Sequence, residues 1–419
     1  MQSDLRSKLT EENAIVDGIL GSLCVSVLII GLYIMKFYLY GLSMVNFLCT
    51  RWQAHQLVVN YSYGFIKRAF LGTIVDLIVQ RSGLSFVKVL IYFMDVEELI
   101  FAVSFMAFLL YLIFHYKDKR LNLMVLMFFS TGIMSFYFMD WGEPDLIMFS
   151  LTLLSVLLII RRKALWLVPV MMVTCVLIHE GFVLLTFATV VGLLFYRAVS
   201  EEDKASRHYM FGVLIATCII CGCLFFYLYF FTSRAITVPS EVILDKSATL
   251  LGFPETYRGD LLYTYYGEGV PGSAMWVDGA PTIEFWSRFL SFIAAMVALL
   301  PVLYGKCRIL KEALTKEKNK WKKLSYVFLS LQFVLTLLMV IVHTDLGRWV
   351  CAIVLQVFLT LFALYMIGDK IIKDAFIKTV KCNAISLAYV LILFTVFAEP
   401  DKQMISYSIS EFVFNLLSV

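Results

Sequence analysis

Residues 145–197 read DLIMFSLTLLSVLLIIRRKALWLVPVMMVTCVLIHEGFVLLTFATVVGLLFYR, and this stretch decides the fold. Two groups of polar residues divide its apolar runs, Arg161–Lys163 and His179–Glu180. A helix needs roughly 20 mostly apolar residues to cross the hydrocarbon core of a bilayer, and somewhat shorter runs can still cross it. The stretch therefore predicts three consecutive membrane helices, at 145–160, 164–178 and 181–196.

The whole chain has the same apolar character. Of its 419 residues, 61% are hydrophobic and only 16% are charged, and the mean hydropathy is +0.85. Soluble domains have about 45–50% apolar and about 25% charged residues. This composition excludes a soluble globular protein, and it equally excludes a disordered chain. The sequence predicts one all-α, polytopic integral membrane domain over residues 1–419.

Apolar runs of sufficient length predict about 11 transmembrane helices. Most of the 35 Lys and Arg residues fall between alternate spans, and the densest group is KEKNKWKK at 316–323. Basic loops stay on the cytoplasmic side of a membrane, so we expect a cytoplasmic N-terminus. Besides the three spans above, the candidates are 16–39, 92–114, 121–138, 209–232, 286–304, 325–342, 349–367 and 383–399.

Two segments are expected to lie on the outer side. Residues 41–91 form an outer loop, in which 69–91 is a re-entrant or interfacial helix. A crossing there would reverse every later loop and violate the distribution of basic residues. Residues 233–285 form a larger outer loop between spans seven and eight. The scattered basic residues indicate no nucleic-acid partner.

Four polar motifs fall at the outer helix ends under this topology. Each by itself is typical of an ordinary polar turn. The length of the helices favours a functional interpretation, since residues 164–196 must form two spans and a turn. Each limb is then about 24 Å long, shorter than the roughly 30 Å hydrocarbon core. The motifs are YGFIKR at 63–68, DWGEPD at 140–145, HEG at 179–181 and HTDLGRW at 343–349.

His179 and Glu180 should accordingly lie below the outer surface. Ionisable groups at such depth are costly unless they face a water-filled cavity or a partner. We therefore expect the four motifs to share one outward-facing cavity. The loop 233–285 supplies Arg258 and further polar and aromatic residues that suit sugar or phosphate contacts. An ordinary solvated loop with interfacial aromatic anchors explains these residues equally well.

The predicted spans carry few charges at their centres, whereas ion-coupled transporters place acids or broken helices near the midplane. This distribution favours an enzyme of the outer leaflet or a receptor for an outer ligand. His179-Glu180 lacks the second histidine of an HExxH zinc motif. No cofactor is predicted, and a divalent metal is left open without support from the sequence.

The layout resembles the Wzy-type bacterial polysaccharide polymerases, which make O-antigen, capsule or exopolysaccharide. His179-Glu180 at the end of a middle span resembles the His-containing hairpin of the related EpsG-like proteins. Asp345-Leu346-Gly347-Arg348 resembles their Asp/Arg-rich outer turn. The layout is also similar to O-antigen ligases and, more distantly, to GT-C glycosyltransferases. Only Asp76 or the group around Asp95 could stand for the acidic pair in the first outer loop of GT-C enzymes.

The resemblance implies an enzyme of the bacterial plasma membrane that polymerises lipid-linked oligosaccharide repeat units on its outer face. The donor would be joined to a polyprenol by pyrophosphate, and other glycan-assembly membrane proteins are implied as partners. Two alternatives remain: a GT-C-like transferase that uses a polyprenyl-monophosphate sugar, and a transporter or flippase for a lipid-linked glycan.

The resemblance also assigns roles to residues of the four motifs and of the loop 233–285. A carboxylate or the histidine would take a proton from the attacking sugar hydroxyl. Cationic residues would hold the pyrophosphate and stabilise the charge that develops on it. The candidate catalytic residues are Asp140, Glu143, Asp145, His179, Glu180 and Asp345, and the candidate substrate-binding residues are Lys67, Arg68, Arg258, His343 and Arg348.

Overall fold

The structure is a computed structural model, and it describes residues 52–131, 133, 144–251, 258–267, 276–277, 280–281, 283–342 and 346–397. The predicted span 16–39 lies outside the described residues. So do four of the candidate site residues, Asp140, Glu143, His343 and Asp345.

Helices dominate the described chain. The α-helices are α1 (Trp52–Gln56), α2 (Ala69–Ser82), α3 (Phe86–Tyr116), α4 (Lys119–Ser130), α5 (Asp145–Arg161), α6 (Leu167–Ile178), α7 (Phe187–Val199), α8 (Lys204–Ala235), α9 (Ser240–Leu251), α10 (Arg258–Leu261), α11 (Ile283–Lys316), α12 (Lys320–Leu331), α13 (Phe333–Val342), α14 (Leu346–Ile367), α15 (Lys370–Thr379) and α16 (Ala384–Val396). Shorter elements are 3-10 turns at Tyr61–Tyr63 and Glu180–Leu184, a π-helix at Leu262–Tyr266, and a two-residue antiparallel pairing of β1 (Trp276–Val277) with β2 (Ala280–Pro281).

Each predicted segment that the structure describes contains an α-helix, but three segments are interrupted. Residues 69–91 are divided between α2 and α3, and residues 181–196 begin with a 3-10 turn and are α-helical from Phe187. Residues 325–342 form α12 and α13, which meet at Gln332. The buried Gln332 side chain donates through Nε2 to Thr189 Oγ1 at 3.2 Å, to the Gln356 carbonyl at 3.0 Å and to Thr360 Oγ1 at 2.7 Å. Hydropathy alone could not predict this break, because the acceptors belong to other helices.

Four described helices are long and apolar enough to cross a membrane. They are α3, α8, residues Phe292–Lys316 of α11 and residues Gly347–Ile367 of α14. A fifth span results if α15 and α16, which are bent by 88° at a short break, count as one. These apolar helices indicate association with a lipid bilayer, and the total of eleven spans stays a prediction.

One end of the helices is basic and is held together by ion pairs and hydrogen bonds. Asp369, before α15, accepts from Tyr196 and Lys322, each at 2.9 Å. Arg162 Nη1 lies 2.6 Å from Glu201 Oε2, between the ends of α5 and α7. We call this end, with residues 117–120, 161–163, 316–323 and 370–381, the basic end. Four of the predicted cytoplasmic segments therefore meet at one end of the fold.

Helix α14 lies at the centre and α8 at the periphery. In α14, 89% of the apolar stretch is buried, against 22% in α8. Helix α14 contacts α4, α5, α7, α11, α13 and α15. The exposed side of α8 carries large aromatic residues, among them Phe226, Tyr229 and Phe230. Surface of this kind suits contact with lipid tails.

The predicted loop 233–285 contains helices, and these pack on the segment before α2. A second apolar core joins Val59, Tyr63, Ile66 and Ala69 to Ile243, Leu244, Leu261 and Tyr265. Gly64 permits the close approach, since it has φ +120° and a Cβ there would lie 2.1 Å from the Ala235 carbonyl oxygen. The insert thus covers the start of α2, where Lys67 and Arg68 lie.

Candidate functional site

The first and third polar motifs meet in a buried ion pair. Arg68 Nη2 donates to Glu180 Oε1 at 2.8 Å, and Arg68 Nε donates to Oε2 at 3.1 Å. Lys67 Nζ lies 3.8 Å from the same carboxylate. Glu180 is only 5% exposed. Two-pronged contact of this kind fixes the guanidinium relative to the carboxylate and is among the stronger polar interactions in proteins.

Local backbone geometry places both partners. Arg68 precedes α2 in the left-handed conformation, with φ 59° and ψ 6°. Helix α6 ends at His179, which is extended, and Glu180 opens the following 3-10 turn. This turn is an interruption between two short apolar helices, and it points the carboxylate towards α2 instead of continuing the helix.

His179 has one ring nitrogen engaged with the backbone. Its Nδ1 accepts a hydrogen bond from the Gly181 N–H at 2.9 Å. The neutral ring therefore carries its proton on Nε2. With this tautomer His179 presents its Nε2–H as a hydrogen-bond donor.

The second and fourth motifs meet in another ion pair. Arg348 Nη2 donates to Asp145 Oδ1 at 2.7 Å, and Arg348 Nε donates to Oδ2 at 2.9 Å. Asp145 is the first residue of α5 and is fully buried. Arg348 is in the first turn of α14, so this pair joins the central helix to α5.

The two ion pairs are neighbours. Arg348 lies close enough for its charge to act on Arg68. Tyr265, from the insert, interacts electrostatically with Arg68 and with Glu180. The Tyr265 side chain is fully buried, and its hydroxyl has no hydrogen-bond partner among the described residues. We call Lys67, Arg68, Asp145, His179, Glu180, Tyr265 and Arg348 together the Arg–acid cluster.

Among its described residues, the Arg–acid cluster has more positive than negative charges. Lys67, Arg68 and Arg348 face the two carboxylates of Asp145 and Glu180. Burial acts to raise the pKa of Glu180, which lies outside the candidate membrane spans. The charges of Arg68, His179 and Lys67, together with the hydrogen bond from Arg68, outweigh this effect and hold that pKa well below its ordinary value of 4.5. Glu180 is thus ionised at neutral pH, and the cluster is suited to receive an anion.

The sequence singled out six described residues of this cluster, and it assigned Tyr265 only to a group of polar residues in the insert. Tyr265 enters because the insert folds back on α2, and no local pattern at 262–266 indicates that contact. Arg258, a candidate substrate-binding residue, is exposed in α10, and no hydrogen bond or ion pair joins it to the cluster in the described part of the chain.

Asp76 does not contribute to the Arg–acid cluster. It accepts a hydrogen bond from Gln80 Nε2 at 2.7 Å, and it lies 3.9 Å from Lys246 Nζ. Its carboxylate is partly exposed, which fits a surface ion pair. Glu97 and Glu98, the other early acids, are buried within α3.

The described residues contain no group of three or more His, Cys, Asp and Glu side chains that could hold a metal ion. No family model, curated protein or solved structure matches the chain.

Proposed function

We propose that this chain is a glycosyltransferase of the bacterial plasma membrane that polymerises lipid-linked oligosaccharide repeat units on the outer face. The donor would be an oligosaccharide joined to a polyprenol through pyrophosphate. The observation that supports this proposal is the Arg–acid cluster, in which two partly buried arginines and a lysine gather around two buried carboxylates at one end of an apolar helical fold.

The cluster suits a pyrophosphate. Guanidinium groups bind phosphate oxygens with the same two-pronged geometry that they use for carboxylates. An incoming pyrophosphate could therefore take over Arg68 and Arg348 from Glu180 and Asp145. Among the described residues, Lys67 gives the cluster one more positive than negative charge, which favours this exchange and places a cation near the leaving group.

The exchange also prepares a base. A carboxylate that loses its arginine partner inside a buried site becomes more basic. Glu180 or Asp145 would then accept the proton of the attacking sugar hydroxyl. The hydroxyl oxygen forms the new bond to the anomeric carbon, the bond from that carbon to the pyrophosphate oxygen breaks, and polyprenyl pyrophosphate leaves with the electron pair. The arginines stabilise the charge that develops on it.

The proposed topology places the Arg–acid cluster on the outer side, with about 11 spans and a cytoplasmic N-terminus. Support comes from the basic end: residues 161–163 lie between α5 and α6, and residues 370–381 follow α14, so both segments lie at the helix termini opposite to Asp145, Glu180 and Arg348. Basic segments are retained on the cytoplasmic side.

Glycan chain length in cells tests this function. A strain that lacks the chromosomal copy would carry Arg68→Ala, Glu143→Ala, His179→Ala or Arg348→Ala, with protein levels measured by immunoblot. We expect the ladder of long chains to collapse to single repeat units in the two arginine variants. Arg120→Ala is the matched control, since Arg120 pairs with Asp118 at the basic end. Normal ladders in all four variants at normal protein levels would contradict the proposal.

The same strain distinguishes the alternatives by the lipid that accumulates. Loss of a polymerase leaves complete repeat units on polyprenyl pyrophosphate at the outer face. Loss of a transferase that uses a polyprenyl-monophosphate sugar leaves an acceptor that lacks one sugar. Loss of a flippase leaves the complete unit at the inner face, where an added external glycosidase cannot reach it.

A further inference from the structure

A cavity of about 220 Å³ lies between α4, α11 and the corner at which α15 turns into α16. Its walls are mainly apolar and include Leu123, Met127, Ile309 and Leu361. Lys381 and Ile385, in the corner, also line the cavity and are exposed. The cavity therefore reaches the surface at the basic end, far from the Arg–acid cluster.

One charged residue in the cavity wall is completely buried. Lys306 is 0% exposed, and its Nζ has no hydrogen-bond partner in the described structure. The Phe333 ring lies 5.8 Å from that nitrogen. Attraction to an aromatic ring offsets only part of the cost of taking an ammonium group out of water. Among the described residues, Lys306 thus has no anionic partner of the kind that a buried ammonium group needs.

The depth of Lys306 along α11 limits the kind of ligand that can supply this anion. Lys306 stands ten residues before Lys316, the end of α11, which is about 15 Å along the helix axis. An anion that reaches it must pass through apolar walls from the basic end. A phosphate on an apolar tail satisfies both requirements, because the tail matches the walls and the phosphate matches Lys306 and Lys381. Charged residues inside membrane segments generally mark sites of this functional kind.

We propose that this cavity binds an anionic membrane lipid, whose phosphate group pairs with Lys306 and is reached also by Lys381 at the cavity mouth. The site is separate from the Arg–acid cluster and does not depend on the proposed transferase activity. The proposed ligand is a lipid and not a soluble phosphate, because most of the lining is apolar.

Lipid binding to the purified full-length chain tests the site. The probes are dioleoyl phosphatidylglycerol, phosphatidylcholine with the same acyl chains, and inorganic phosphate. Native mass spectrometry counts retained lipids, and thermal unfolding in mixed micelles reports stabilisation. We expect one tightly held phosphatidylglycerol per chain and a rise in Tm with phosphatidylglycerol only.

Lys306→Met should bind phosphatidylglycerol at least ten-fold more weakly and lose the lipid-dependent rise in Tm. The same variant should unfold at a higher temperature than the wild type in phosphatidylcholine, because it removes an unpaired buried charge. Lys306→Arg should retain binding. Lys311→Met is the matched control, an exposed lysine on the same helix, and should behave like the wild type.

Three results would overturn the proposal. The first is undiminished phosphatidylglycerol binding by Lys306→Met. The second is binding of phosphatidylcholine as tight as that of phosphatidylglycerol. The third is an equal, Lys306-dependent stabilisation by inorganic phosphate at the same concentration, which would assign the site to a soluble anion.

Discussion

Arg68 and Glu180 offer a direct way to separate substrate binding from structural support. The pair also connects α2 to the turn after α6. Removing one partner of a buried ion pair lowers the free energy of unfolding by about 3–5 kcal/mol. Loss of activity in Arg68→Ala alone would not distinguish the two roles. The informative change reverses the pair instead of removing it.

The double variant Arg68→Glu/Glu180→Arg keeps both charges and similar side-chain lengths. If the pair binds pyrophosphate, we expect a Tm near that of the wild type and no glycan ladder. The guanidinium group then extends from position 180 instead of position 68, so it no longer meets the pyrophosphate in the same place. Tm of the purified protein and chain length in cells are the two measurements. Recovery of both in the double variant would show that the pair is structural.

Glu180 should also give the protein a specific dependence on pH. Its pKa is depressed in the folded chain, so the stability that its ion pair contributes is fully present above the ordinary value of 4.5. This contribution is lost as the pH falls through the lower, folded pKa. We expect the difference in Tm between the wild type and Glu180→Gln to be constant from pH 8 to about 5 and to shrink below pH 4.5. A difference that is unchanged at pH 3.5 would contradict this assignment.

At the residue scale, the motifs at 63–68, 140–145, 179–181 and 343–349 were expected to share one outward-facing cavity. The structure joins their described members in two ion pairs, Arg68 with Glu180 and Arg348 with Asp145, and a common functional site stays a prediction. The partners within the cluster were not predictable, because which arginine meets which acid depends on the packing of α2 and α14. The Nδ1 contact of His179 likewise depends on a turn geometry that spacing does not encode.

At the scale of elements, Gly72 determines where α2 lies. A Cβ at this position would be 1.9 Å from the Val59 carbonyl oxygen, so α2 and the segment before it touch backbone to backbone. Gly72 is one helical turn beyond Arg68. Any side chain at 72 must push α2 away and carry Arg68 with it.

We expect Gly72→Ala to reduce chain polymerisation by roughly 10- to 100-fold, since a displacement of about 1 Å has that effect on a positioned group. Gly212→Ala is the control, because nothing lies within 4 Å of its Cβ position in α8. That change should stabilise the helix by roughly 0.5–1 kcal/mol. Polymerisation and Tm are measured for both variants. Wild-type ladders from Gly72→Ala would show that α2 accommodates a Cβ at position 72 without displacing Arg68.

Helix positions followed from hydropathy, but interruptions and inserts did not. Helices α5 to α8 lie close to the predicted apolar runs. A helix needs apolar residues whether it is surrounded by lipid or by protein, so hydropathy finds it in both cases. The break at Gln332 and the folded insert 233–285 arise from contacts between distant segments. The apolar residues of the insert are too few and too scattered to predict a membrane helix, and its polar residues are equally typical of loops.

At the scale of the whole molecule, the prediction to test is that the Arg–acid cluster faces the outer side of the membrane and the basic end faces the cytoplasm. In a variant whose native cysteines are replaced, we would introduce Lys318→Cys at the basic end or Ser240→Cys at the start of α9. A membrane-impermeant maleimide should label Ser240→Cys in intact spheroplasts, and Lys318→Cys only after permeabilisation. The reverse labelling would place the Arg–acid cluster in the cytoplasm and exclude chemistry on the outer face.

The central position of α14 has a consequence for how the protein is made. Ribosomes deliver the chain from its N-terminus, so α4, α5, α7 and α11 are made before the helix that they all contact. Until α14 is made, Asp145 lacks its partner Arg348. We therefore expect the innermost helix to join the earlier ones late in assembly, and fragments divided within 316–323 to reassociate into one protein when they are produced together.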